Sequence, residues 1–143
     1  MDGGAFQDIG ERLTGALLAG DFALYRDLFV LPVTITPREG APYVIADPDA
    51  LREDFDLYHM VLRTNAVTDI FRDLQDVTPA GPGQVVVRVI THIMEHANRV
   101  AEPFETRFFL VGQGGDWRIS AIESAPSHLR WSRGQAGHGF GWV

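Results

Sequence analysis

Near the N-terminus, apolar residues recur at helical spacing. Between Phe6 and Ala19, the residues Ile9, Leu13, Ala16 and Leu17 share one face of a 3.6-residue period, which predicts an amphipathic helix. Gly20 ends it, and Asp21 caps a short second helix, "DFALYRDLF", with Phe22, Tyr25, Leu28 and Phe29 inward and Pro32 as its stop. "PVTITP" and "YVIAD" read as two short strands around the turn "REGAP". In "DPDALREDFDLYHMVLRTN" the helical period returns. Asp47 is its cap, Pro48 takes the first helical position, and Leu51, Phe55, Tyr58 and Leu62 form the apolar stripe, with His59 at its edge.

After Asn65 the pattern changes. "AVTDIFRDLQDVTPA", "QVVVRVITHIMEH", "FETRFFLVG" and "WRISAIES" are runs rich in Val, Ile and Phe, separated by "GPG", "ANRVAEP" and "QGGD". Such runs joined by turns predict an antiparallel meander. In the second run one face carries Val85, Val87, Val89, Thr91, Ile93 and Glu95, and reads as core. The opposite face mixes Val86, Ile90 and Met94 with Arg88, His92 and His96, a mixture that suits a polar-tipped pocket wall or a subunit contact. The third run alternates Glu105, Arg107 and Phe109 against Thr106, Phe108 and Leu110, so Glu105 and Arg107 can pair on one face. From Pro126 the composition shifts to Gly, Arg and aromatics without periodicity. Residues 1–126 therefore read as one domain and 127–143 as an extended tail, docked by Trp131 or Trp142 near a subunit contact.

Composition narrows the chemistry. The chain of 143 residues is 45% apolar and 22% charged, ordinary for one globular domain. A net charge of −7 argues against nucleic acid and anionic membranes as partners. No apolar run is long enough to span a membrane, and "MDGGAFQDIGERL" lacks a basic n-region, so we expect a cytoplasmic protein. There is no cysteine, which excludes thiolate catalysis and Cys-ligated metal centres. All 12 basic residues are Arg, which excludes Schiff-base and PLP chemistry. His, Asp, Glu, Tyr, Ser, Thr and Arg remain.

"THIMEH" contains H-x-x-E-H, a spelling used by some zinc proteases. That chemistry needs a helix, where residues four apart lie about 6 Å from each other on one face. The β-branched run leading into it predicts a strand, on which His92 and His96 stand roughly 13 Å apart. With zinc–nitrogen bonds of about 2.1 Å, one ion does not reach both rings, so no metal is expected here.

The order of elements resembles that of the SnoaL-like group of the NTF2-like superfamily over residues 5–125. The likeness rests on "LLAGDFALYRDLFVLPVTITP", "DPDALREDF" and "FFLVGQGGDWRISAIE". It implies an α+β cone, a curved antiparallel sheet wrapped around three N-terminal helices and a mostly apolar pocket, and a homodimer paired through the sheet. Members include isomerases, dehydratases, cyclases and proteins that only bind or assemble. In ketosteroid isomerase a first-helix Tyr, a base Asp near the first strand and a late-strand Asp form the site. The corresponding positions here are Leu13, Thr36 and Glu105, so that donor and base are missing. The resulting expectation is a small, largely apolar ligand handled without a cofactor. His92 and Glu105 are the candidate acid–base pair, with His92 facing inward, and Tyr58, His59 and Arg107 are candidate ligand contacts. The competing reading is a non-catalytic binding or dimerisation module.

Overall fold

The structure is a computed structural model, and residues 1–124 are described. The expected boundary at 126 and the tail with Trp131 and Trp142 lie outside the described residues. Among the described residues there are three helices, the third separated from the first two by a pair of strands. α1 (Gly3–Ala19) starts at Asp2, whose carboxylate accepts from the Ala5 N–H at 2.8 Å, and ends at Gly20, which takes the left-handed conformation at φ 74°. α2 (Phe22–Asp27) is capped by Asp21, and α3 (Pro48–Thr64) by Asp47 at 2.9 Å from the Ala50 N–H. The faces they bury are those the periodicity marks: Ile9, Leu13, Ala16 and Leu17 on α1, and Leu51, Phe55, Tyr58 and Leu62 on α3.

Among the described residues, seven strands form one curved, unclosed sheet. They are β1 (Phe29–Thr36), β2 (Tyr43–Ile45), β3 (Asp69–Pro79), β4 (Gln84–Glu95), β5 (Asn98–Arg99), β6 (Phe104–Gln113) and β7 (Asp116–Ser124). The order is β2-β1-β7-β6-β4-β3, with β5 a short return on β4. β3, β4, β6 and β7 are the antiparallel meander expected from the sequence. The sheet as a whole is mixed, because β1 joins β7 in parallel.

Pro32 does not stop α2, which ends at Asp27; it lies inside β1. Proline has no N–H to give to a ladder. The pairing of β1 with β7 accordingly slips around it, from Phe29 opposite Ile119 to Thr34 opposite Ala121.

The helices lie against the inner sheet face. Val85, Val87, Val89, Thr91 and Ile93 of β4 and Thr106, Phe108 and Leu110 of β6 are buried there. Thr91 and Thr106 satisfy each other across the strands at 2.8 Å. Aromatic rings tie the layers together: Tyr25 and Phe55 stand 4.7 Å apart, and Phe6 and Phe108 5.3 Å. Among the described residues, no helix is long and apolar enough to cross a membrane.

Candidate functional site

Asp54 sits one helical turn before Tyr58 on α3, within the stripe that buries Leu51 and Phe55. β2 brings Tyr43 to both: its hydroxyl lies 3.1 Å from Asp54 Oδ1 and 3.1 Å from the Tyr58 hydroxyl. Each phenol has one proton to donate. Tyr43 donates to Asp54, so Tyr58 donates to Tyr43, and the three groups form a relay that ends on a carboxylate.

The relay is poorly solvated. Burial pushes the Asp54 carboxyl up from 3.8 to about 6, and the hydrogen bond from Tyr43 holds it back. Tyr43 is raised to about 12, by burial first, with the Tyr58 hydrogen bond acting the other way. Tyr58 is raised further, by burial and then by the Asp54 charge. Asp54 Oδ2 is buried and accepts no hydrogen bond among the described residues. A carboxylate with one oxygen held and the other bare is suited to take a proton.

Two arginines flank this region. Arg38, on the turn between β1 and β2, lies with its guanidinium carbon 4.2 Å over the Phe104 ring. Burial lowers it to about 10, against the pull of Glu39 and Tyr58. Arg72, on the inner face of β3, donates from Nη1 to the Gly10 carbonyl at 3.1 Å and also bonds Thr14 Oγ1. Tyr25 feels both ends of the interior: after burial, the Asp54 charge raises its hydroxyl and the Arg72 charge lowers it.

Of the residues singled out from the sequence, only Tyr58 belongs to this cluster. His92 does not face inward. The buried set on β4 is Val85 to Ile93, and the alternation of the strand puts His92 on the outer face. There its Nε2 lies 2.8 Å from Asp73 Oδ2 of β3. Glu105 stands opposite Ile90, so neither His92 nor His96 faces it. Glu105 instead joins Arg88 at 3.1 Å and Arg107 at 3.3 Å, with Arg88 continuing to Asp76. His92, Glu105 and Arg107 thus share the outer face, apart from Tyr58. His59 turns away from Tyr58: its Nδ1–H donates to the Leu17 carbonyl at 2.7 Å, and its ring stacks on Phe55. It fastens α3 to the end of α1, where a Cβ on Gly20 would stand 3.0 Å from its Nε2. The H-x-x-E-H stretch is strand through Glu95, and His96 follows in a turn at φ 53°.

Asp54, Tyr43, Arg38 and Arg72 were missed. A signal existed for Asp54 alone: a carboxylate four residues before Tyr58, on the apolar stripe of a helix. Tyr43 reaches the site through the packing of β2 against α3, and Arg38 from the turn between β1 and β2, which the pattern of apolar positions does not reveal.

No family model matches the chain, and no curated protein matches it. Solved structures do. A protein of Streptomyces avermitilis, provisionally named a dehydratase of the NTF2-like family, aligns over 86% of this chain and 94% of its own, with a TM-score of 0.60 and 14% identity. The chain has the NTF2-like fold. Two other matches have higher scores. Aln2 from a Streptomyces species has a TM-score of 0.66 and 15% identity, over 85% of this chain and 88% of that one. A Novosphingobium aromaticivorans protein, provisionally named an aromatic ring hydroxylase, has 0.65 and 14%, over 90% and 91%. Within this NTF2-like chain, Leu13 is a core residue and Thr36 ends β1. The interior carboxylate comes from α3 instead.

Proposed function

We propose that the chain binds a small, largely apolar carbonyl compound in its cone and moves a proton on it without a cofactor. Asp54 is the base. The bare Oδ2 takes a proton from the carbon beside the carbonyl. The C–H bond breaks, an O–H bond forms on Asp54, and the electron pair passes to the carbonyl oxygen as an enolate. Return of the proton to another position is an isomerisation; breaking of the C–O bond to a neighbouring hydroxyl, which takes the bonding pair and the proton from Asp54 and leaves as water, is a dehydration. Tyr43, itself held by Tyr58, bonds the other oxygen and limits how far burial raises the carboxyl. The observation that carries this reading is Asp54 itself, a part-buried carboxylate with one oxygen held by Tyr43 and the other sheltered without a hydrogen bond among the described residues.

The test is hydrogen–deuterium exchange of 2-tetralone in heavy water, followed by NMR. The folded parent is expected to accelerate exchange at the position next to the carbonyl, and Asp54→Asn to lose the acceleration. Equal exchange by parent and variant rules Asp54 out as the base.

A second reading is a non-catalytic module whose sheet pairs two copies of the chain. One feature favours it: the outer face carries Phe71, 51% exposed, beside the half-buried Ile90 and Met94. In this reading His92, Glu105 and Arg107 belong to the subunit contact. The two readings are compatible, because they use opposite faces of one sheet.

A further inference from the structure

Arg72 is a cation set on the inner face of the sheet, where Ile70 beside it is 4% exposed. Its guanidinium carbon lies 5.9 Å from the Phe108 ring. Nη1 is held by Gly10 and Thr14 of α1. Nη2 is buried and has no hydrogen-bond acceptor among the described residues. Among those residues no carboxylate lies within ion-pair distance of Arg72 either. Burial lowers it to about 10, and Asp69 and Tyr25 only partly offset this.

A buried donor left unmade is costly, and a buried cation more so. Pinning α1 to the sheet does not need that charge, since a neutral donor would serve the Gly10 carbonyl and Thr14. The arrangement does fit an incoming anionic oxygen. One guanidinium nitrogen is anchored, which fixes the plane, and the other stays open in a low-dielectric interior where a charge-assisted hydrogen bond is strong. Arg72 also lines a cleft between α1 and β3, together with Phe6, Gly10, Thr14 and Ile70.

We propose that Arg72 Nη2 is the recognition point for an anionic or enolic oxygen on the interior ligand, which makes that ligand an apolar molecule bearing a carboxylate, phenolate or enolisable carbonyl. This rests on the cone being a ligand site, as proposed above. It adds the polarity of the ligand and the end that enters towards β3.

The probes are 2-naphthoate and 2-ethylnaphthalene, alike in size and opposite in polarity. Binding is read by fluorescence at about pH 5, where Asp54 is mostly protonated and the naphthoate carboxyl still mostly ionised. The parent is expected to prefer 2-naphthoate by about tenfold or more, the worth of a charge-assisted hydrogen bond. Arg72→Met is expected to lose that preference and still bind 2-ethylnaphthalene. Arg72→Lys, which keeps charge without the fork, should retain part of it. Thr14→Ala, which removes one anchor and keeps the guanidinium, should retain most of it; a loss as large as in Arg72→Met would mean that the effect comes from a loosened α1. If Arg72→Met does not fold, the parent and Arg72→Lys decide. A parent that binds both probes equally, or an unchanged preference in the Arg72 variants, overturns the inference and leaves the cone reading standing. A parent that binds neither probe overturns both.

Discussion

At the scale of single residues, the proposed chemistry rests on Asp54. Its carboxyl keeps its proton to about pH 6 in the fold, against 3.8 in an unperturbed group. Between those values the folded protein binds more protons than the unfolded chain, so stability should fall as pH rises through that window and level off above it. Urea midpoints measured from about pH 3.5 to 7 should show this slope in the parent and a shallower one in Asp54→Asn. A carboxyl signal titrating at the ordinary aspartate value by carbon NMR would contradict it. Tyr43→Phe removes the hydrogen bond that opposes burial, so the Asp54 midpoint should move further up. A downward shift would mean that Tyr43 is not the donor. Legibility was uneven at this scale. Tyr58 stood out because it lay on a helical stripe. Asp54 does not stand out among its acidic neighbours Glu53 and Asp56, since only the packing of β2 against α3 shows that it is sheltered.

At the scale of elements, local pattern was a good guide wherever local physics decides. The end of α1 at Gly20, the caps of α2 and α3, the apolar stripe of α3 and the alternation of β4 are set by periods of 3.6 and 2, by a glycine free to turn left-handed and by side chains able to bond free N–H groups. Replacing the cap by Asp47→Ala should cost about 1 kcal/mol. Phe55 packs against Tyr25, Phe22 and the His59 ring, so Phe55→Ala should cost about 3–5 kcal/mol. Denaturant unfolding measures both. A Phe55→Ala cost below that of the cap would mean that the α3 contact with α2 is not part of the stabilising core. Pattern failed where pairing partners decide. Period 2 separates the two faces of β4 correctly, and the apolar set was read as core. The inward placement of His92 contradicted that reading, and the burial of Val87 and Val89 settles it the other way. The same limit applies to Pro32. A proline after a helix reads as a stop, yet an irregular ladder accepts it inside a strand.

At the scale of the whole molecule, element order suggested the cone through the family resemblance, and two helices, a short hairpin and a third helix set before a long meander have few ways to bury both apolar faces. The parallel contact of β1 with β7 was not legible, since it joins residues far apart in sequence that carry no mark of their partner. It places the helices on one side of the sheet and leaves the other side to be covered. Outward-facing strands of a water-exposed sheet should be polar, but here Val86, Ile90, Met94 and Phe109 are half-buried and Phe71 is exposed. Around them run the pairs His92–Asp73 and the chain Asp76–Arg88–Glu105–Arg107. Apolar positions bordered by Arg and acidic groups of both signs suit a self-complementary contact, in which a two-fold axis brings each sign against the other. The expected state is therefore a homodimer through this face. Ile90 lies between Asp73 on β3 and Glu105 on β6, so Ile90→Asp puts a third carboxylate among two and should split the dimer. Sedimentation should give a parent dimer and a variant monomer, with unchanged circular dichroism and an unchanged Asp54 titration. A parent that remains monomeric at high concentration removes the dimer. A dimer that survives Ile90→Asp moves the contact to another surface, and either result leaves the interior chemistry to stand on Asp54 and Arg72.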